Sequence, residues 1–284
     1  MSEIVLTHTK PKPIICYKKL FVVGAYYKKR IKHAMNLETT GILSDETLDT
    51  MFQGKLKVIQ KKDGYRFSLD AVILGRLAQI SPEDRVFDLG TGCGIIPLIL
   101  AATSKAKEIV GVEIQEELSE VARRNVALND LRDVITIIKE DLKNLPSLYP
   151  TGAFDFILTN PPFRKRATGR INPQEQKSIA RHEIAISLQE VLTVAHFLLK
   201  TQGKLFLIYP AFRLVDLFYE MRACDLEPKT LQCVHSRVNT PAKMVLVEGV
   251  KGGGVELQVK EPLIIYDTEG KYTEALQEVY SFAL

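Results

Sequence analysis

Arg85 to Gly94, RVFDLGTGCG, constrains the fold more than any other stretch of this chain. A short apolar run ends in an acid, and glycine then takes every second position. That is the order of a buried strand running into a tight turn that opens a helix, here through Ile95 to Ala102. Gly90, Gly92 and Gly94 tolerate positive φ and lack the Cβ atoms that would crowd a ligand above the strand's carboxyl end. Their spacing is G-x-G-x-G, whereas a dinucleotide site expects G-x-G-x-x-G with a pyrophosphate on the helix N-terminus. Asp88 would repel that pyrophosphate but can hold an ammonium through water or backbone. A zwitterionic amino-acid tail fits the turn better.

At 284 residues the chain can bury a full core, and one α/β domain with an appendage is the expected organisation. A net charge of +4 is too mild to imply nucleic acid by itself, so that argument rests on where the cations sit. The 4 cysteines, Cys16, Cys93, Cys224 and Cys233, show no C-x-x-C pair and no zinc spacing. Together with the lack of a signal-peptide pattern, they predict reduced thiols in a cytoplasm. No apolar run reaches the length of a membrane span.

Three regions are expected. Residues 1–35 carry Lys10, Lys12, Lys18, Lys19, Lys28, Lys29, Arg30 and Lys32 against almost no acid. They read either as a loose basic tail, as an over-called start ahead of Met35, or as an arm along a phosphate backbone. Residues 36–80 read as an appendage. Ser44 as an N-cap, with Glu46 near the first turn and Leu48 and Met51 on one face, predicts a helix over Leu43 to Met51. Lys55 to Gln60, the Asp63-Gly64 turn and Tyr65 to Ser68 predict a hairpin, and Ser68 caps a helix over Leu69 to Ala78.

From residue 81 to 284, strand and helix alternate, which predicts βαβ units and a parallel sheet. Strands fit Arg85 to Leu89, Glu108 to Glu113, Val134 to Lys139, Phe154 to Asn160 and Lys204 to Pro210. Helices fit Ile95 to Ala102, Glu116 to Asn129, Ile184 to Lys200 and Arg213 to Ala223. Lys229 to Ser236 and Lys243 to Val250 then follow with no helix between them, as an antiparallel pair closing the sheet.

The chemistry-bearing residues stand at strand ends. Glu113 ends the second parallel strand, where this kind of fold sets an acid against a ribose diol; capping the next helix is the plainer alternative. Asp141 follows the third strand and can accept from an adenine amine while Leu142 offers its N–H. After the fourth strand comes Asn160-Pro161-Pro162-Phe163. The Asn160 side-chain oxygen and the Pro161 carbonyl can each accept one N–H of a conjugated amine and favour its pyramidal form. The prolines fix φ and hold that carbonyl rigid, and Phe163 offers a face to a planar base. A strand stopper followed by a core phenylalanine is the alternative. Arg164, Lys165, Arg166, Arg170, Lys177 and Arg181 follow, read either as a solvated loop or as contacts to phosphates flanking a flipped nucleotide. His182 and Glu183 serve equally well as a helix cap or as ligands. Neither a strong base nor a metal is called for, because the amine attacks while still protonated.

RVFDLGTGCG resembles motif I of the class I S-adenosylmethionine (SAM) methyltransferases, and the terminal hairpin resembles their seven-stranded Rossmann-like sheet. Asn160 to Phe163 is similar to the [DNS]-PP-[YFW] signature of amino-directed N-methyltransferases. GYRFSLDAVILG, DLGTGCGIIPLIL, NPPF and RHE together look like the bacterial tRNA (adenine-N6)-methyltransferases, which modify the adenine beside the anticodon of a valine tRNA. The resemblance implies SAM as cofactor and tRNA as partner. It implies Phe67 and Asp70 near the methionine end, with Asp88, Gly90, Thr91, Gly92, Cys93, Gly94, Glu113, Ile114, Asp141 and Leu142 around SAM. Asn160 to Phe163 would hold the target amine. The alternatives are a protein-glutamine N-methyltransferase, which shares the signature, a nucleotide-dependent oxidoreductase, and an RNA-binding protein without activity. Phe163 and the basic stretch favour a nucleobase.

Overall fold

The sheet grows outward from the strand that carries the glycine turn. The computed structural model describes residues 41–64, 66–161 and 186–281, all within one compact unit, Thr40–Leu284. At its centre β3 (Arg85–Leu89) pairs in parallel with β4 (Glu108–Glu113) on one side and β6 (Phe154–Thr159) on the other. β5 (Ile135–Lys139) extends the first side and β7 (Leu199–Pro210) the second, both parallel. β9 (Ala242–Lys251) then runs antiparallel to β7, and β8 (Leu226–His235) antiparallel to β9. These seven strands, in the order β5-β4-β3-β6-β7-β9-β8, are the expected sheet. Two-residue strands β10 (Gln258–Val259) and β11 (Leu263–Ile264) add parallel to β8 at its edge.

Alternation along β3 divides the core between two faces, as pleating requires. Val86 points into a cluster with α1 (Leu69–Leu77), α2 (Ile95–Thr103) and α3 (Glu116–Leu128); Leu276 and Val279 of α7 (Glu274–Tyr280) join it. Phe87 and Leu89 point the other way, against α4 (Leu145–Leu148), α5 (Leu188–Leu198) and α6 (Leu214–Ala223). On that second face Phe87, Tyr149 and Phe154 meet edge to face, the arrangement favoured by ring quadrupoles. Strand order reverses at β3, and open α/β sheets bind their ligands beyond the strand ends at such a reversal.

The N-terminal elements differ from the sequence expectation. Residues Glu46–Met51 form a strand, β1, not a helix, and pair antiparallel with β2 (Leu56–Lys61). The hairpin turn is Phe52-Gln53-Gly54, at φ of 51°, 57° and 85°, and Asp63-Gly64 falls beyond the second strand. Glu46 explains the first difference. Its carboxylate does not serve a helix terminus: it is buried and accepts from Arg124 Nη1 at 2.7 Å, Arg124 Nη2 at 2.8 Å and the Leu43 N–H at 2.9 Å. Those bonds favour the ionised form and hold the carboxyl below its ordinary range. Val58 and Ile59 of β2 complete the docking by joining the first core cluster.

Candidate active site

The parallel strands bring the predicted strand-end residues to one edge of the sheet. Leu89 is level with Val112 and with Thr159, and Glu113 is level with Lys139. Asp88, the glycine turn, Glu113, Asp141 and Asn160 therefore leave the sheet at neighbouring carboxyl ends.

Asp88 is fully buried, and neither carboxylate oxygen has a hydrogen-bond partner among the described residues; the hydroxyl of Thr91 is buried and unpartnered too. Burial pushes the Asp88 carboxyl up to about 7, against the opposing effect of the neighbouring Thr91 hydroxyl and with the nearby Glu113 charge adding to it. Unmade hydrogen bonds of this kind cost stability in a ligand-free protein, so they mark where a polar ligand belongs. An ammonium would supply the missing donors. Gly90, at φ 79°, has open space where a Cβ would project, and a ligand can reach its backbone. Gly94, at φ 84°, stands where a Cβ would lie 3.2 Å from Ala122 Cβ, so the turn closes tightly on α3.

The turn is held from behind. The Gly90 and Thr91 N–H groups both donate to the Val112 carbonyl, at 3.1 and 2.8 Å. Glu113 Oε2 accepts from the Gly92 N–H at 3.0 Å and its Oε1 from Gln115 N–H at 2.9 Å. Glu113 thus braces the turn while keeping lone pairs for a diol. Cys93 is buried in the turn, which pushes its thiol up to about 12 and leaves it inert. Asp141 caps the short turn Leu142–Asn144 by accepting from the Lys143 N–H at 2.9 Å; Ile114 and Leu142 are half-buried beside these strand ends.

At the end of β6, Thr159 donates its hydroxyl to the Leu89 carbonyl at 3.0 Å and ties that strand to the one bearing the glycines. Asn160 follows half-buried and Pro161 buried, just past the last sheet residue. Pro162, Phe163, Arg164, Lys165, Arg166, Arg170, Lys177, Arg181, His182 and Glu183 lie outside the described residues, as does the basic stretch 1–35. Phe67 donates its N–H to Gln60 Oε1 at 3.0 Å and packs against the core. Asp70, in the first turn of α1, lines a 160 Å³ cavity with His235, Lys243 and Tyr266, and burial raises its carboxyl above the ordinary range. Among the described residues no group of His, Cys, Asp and Glu could hold a metal ion, and no helix is long and apolar enough to cross a membrane.

One residue of this site escapes the sequence reading. Asn125 of α3 is buried and donates its side-chain amide to the Cys93 carbonyl at 2.9 Å. An asparagine inside an amphipathic helix carries no signal of that contact, because its partner lies 32 residues upstream.

Sheet order, glycine turn and strand-end acids together define a class I methyltransferase. The chain belongs to the methyltransferase small domain family, which it matches over residues 70–216. It is 37% identical over 189 residues to the tRNA1(Val) (adenine(37)-N6)-methyltransferase of Porphyromonas gingivalis, covering 64% of this chain and 73% of that one. It is 27% identical over 224 residues to the like-named protein of Bacteroides thetaiotaomicron, covering 77% and 90%. Among solved structures, a predicted O-methyltransferase of Agrobacterium tumefaciens superposes with a TM-score of 0.61 at 22% identity, covering 75% of this chain and 95% of that one. That last likeness concerns the fold.

Proposed function

We propose that this protein transfers the methyl group of SAM to the exocyclic N6 amine of an adenine in tRNA, the substrate class carried in the names of its relatives. The observation that carries this reading is the position of Asn160-Pro161, directly after β6 and beside the strand whose buried Asp88 lacks donors. When bound, SAM supplies an electrophilic methyl carbon.

The chain's own residues do the rest. Asp88 and the turn from Gly90 to Gly94 receive the amino-acid tail, Glu113 the ribose hydroxyls, and Asp141 with Leu142 the adenine of the cofactor. Phe67 and Asp70 close the methionine end. Asn160 Oδ1 and the Pro161 carbonyl accept the two N–H bonds of the target amine and draw its nitrogen toward a tetrahedral shape, which frees the lone pair for attack. Their hydrogen bonds strengthen as positive charge develops on that nitrogen. Pro162 keeps the Pro161 carbonyl fixed, Phe163 stacks on the base, and Arg164, Lys165, Arg166, Arg170 and Arg181 meet flanking phosphates. The proton leaves after the methyl has transferred, to water, so no strong base is required. The work belongs in the cytoplasm with tRNA.

Nucleoside mass spectrometry of tRNA from cells lacking the gene tests this. Loss of N6-methyladenosine, restored by the wild-type gene, is the expected result. Unchanged tRNA with loss of a methylated glutamine in a protein would overturn the substrate assignment and favour the carboxamide reading of the same signature.

A further inference from the structure

Helix α3 does more than cover the sheet. Asn125 and Asn129 stand four residues apart on it, while Ile59 and Lys57 stand two apart on β2. Four residues of helix advance about 6 Å and two residues of strand about 6.6 Å, so the two asparagines fall in register with alternate strand residues. Asn125 Oδ1 accepts from the Ile59 N–H at 2.6 Å, and its Nδ2 donates to the Ile59 carbonyl at 3.0 Å. Asn129 repeats the pattern with Lys57, at 2.9 and 2.7 Å. The two carboxamides therefore take the place of a third strand along the open edge of the hairpin, satisfying the buried backbone groups of Ile59 and the exposed ones of Lys57.

The two asparagines differ in their remaining amide hydrogen. Asn129 directs it to the Asn125 carbonyl at 2.8 Å, within its own helix and toward the surface. Asn125, fully buried, directs it to the Cys93 carbonyl at 2.9 Å, in the glycine turn. The turn is then held at two points about Cys93: Glu113 fixes the N–H of the preceding residue, Gly92, and Asn125 fixes the carbonyl of Cys93 itself. Glycines flank that residue and leave the backbone soft, so these two bonds set how the turn's peptide planes face a ligand.

We propose that Asn125 is a positioning residue for the cofactor, coupling the docked β1–β2 hairpin to the conformation of the SAM-binding turn. The inference rests on the reading that this turn holds SAM. Its path continues through β2: Gln60, next to Ile59, accepts the N–H of Phe67, which leads into α1. Coupling between binding sites is reciprocal, so SAM must tighten the hairpin to the same degree that the docked hairpin tightens SAM.

The test compares the whole protein with Asn125→Asp, which keeps the size and the acceptor for the Ile59 N–H but loses the amide that donates to the Ile59 and Cys93 carbonyls, and with Asn129→Ala, which loses hairpin bonds alone. Calorimetry gives SAM affinity, and amide exchange reports residues 56–61 and 90–94 with and without SAM. Asn125→Asp is expected to weaken SAM at least tenfold, to speed exchange at 90–94 even without SAM, and to abolish the slowing that SAM produces at 56–61. Asn129→Ala is expected to speed hairpin exchange while leaving SAM affinity within twofold and the SAM-dependent slowing intact. If Asn125→Asp does not fold, Asn125→Ser, uncharged and too short to span both partners, carries the same comparison. SAM affinity within twofold in the Asn125 variant, or undiminished slowing at 56–61, would overturn the coupling. A wild-type protein that fails to bind SAM would instead overturn the cofactor reading, while exchange at 90–94 without SAM still decides whether Asn125 holds the turn.

Discussion

The two ends of the same parallel strands are built on opposite terms. At the amino ends Arg85 and Asp155 are fully partnered: Arg85 Nε donates to Glu108 Oε2 at 2.8 Å and its Nη1 to the Ala153 carbonyl at 2.7 Å. Asp155 accepts from the Arg85 N–H at 3.0 Å and from Lys200 at 2.5 Å. At the carboxyl ends, three residues further along β3, Asp88 is more deeply buried, and among the described residues neither of its oxygens has a hydrogen-bond partner. A protein selected for stability alone would treat both ends like the first. The difference marks one pole as structural and the other as preorganised for something absent from the free chain, with strain of this sort held where function needs it.

The largest expected effect lies at the carboxyl pole and touches rate alone. Asn160→Ala should leave the fold and SAM affinity intact while slowing methyl transfer a hundredfold to a thousandfold. That corresponds to about 3 to 4 kcal/mol, the cost of removing one hydrogen-bonding group that acts on developing charge. Single-turnover assays at saturating SAM and tRNA measure it, and a rate within tenfold of the parent would show that Asn160 does not hold the amine.

Asp88→Asn sharpens the contrast next. Loss of a charged acceptor should weaken SAM by about 1.5 to 3 kcal/mol, roughly ten- to a hundredfold, as calorimetry would show. Thermal stability of the ligand-free protein should hold or rise, because the variant removes a buried carboxylate that among the described residues only the Thr91 hydroxyl assists. A large drop in melting temperature would mean that Asp88 is structural after all.

The same residue makes the two poles respond differently to pH. Its carboxyl, raised by burial to about 7 from an ordinary 3.8, binds a proton in the folded chain that the unfolded chain has released. This contribution to stability is fully present below about pH 4 and is lost as pH rises toward 7. Asp155, at the other pole, has its carboxyl lowered by Lys200 and by the Arg85 N–H and charge, against the opposing effect of burial, so its contribution is lost in the reverse direction, as pH falls through the acid range. Urea denaturation of the ligand-free protein at pH 5 and pH 8 should show less stability at pH 8 for wild type than for Asp88→Asn. Identical pH dependence in the two would remove Asp88 as the source.

How far these poles can be read from sequence depends on whether the partners are near in the chain. The strands from Arg85 to Leu89 and Glu108 to Glu113 follow directly from apolar runs and turn residues, and so does the glycine turn. The hairpin is not legible in the sequence because Glu46 is buried through Arg124, 78 residues away, so an inward-facing acid resembles part of a helix terminus. Leu48 on the same strand faces outward, which inverts the usual pattern. Asn125 was invisible for the same reason. Its four-residue spacing from Asn129 is plain in the sequence, but matters only once a strand is known to lie alongside.

The smallest effect belongs to the amino pole. Lys200→Ala removes the ammonium from Asp155 and leaves that carboxylate the Arg85 N–H, so the acid is not orphaned. The Lys200 side chain is about half exposed, at 47%, and water screens the pair. An ion pair in such a setting contributes between about 0.2 and 1 kcal/mol. The melting temperature should therefore fall by a few degrees at most, and less at high salt, which shields exposed charges. SAM affinity and transfer rate should both stay within twofold, since nothing at this pole reaches the strand ends where Asp88 and Asn160 stand. A Lys200→Ala protein with normal stability but tenfold weaker SAM binding would show that the two ends communicate through the sheet, and the division between a saturated pole and a receptive one would have to be abandoned.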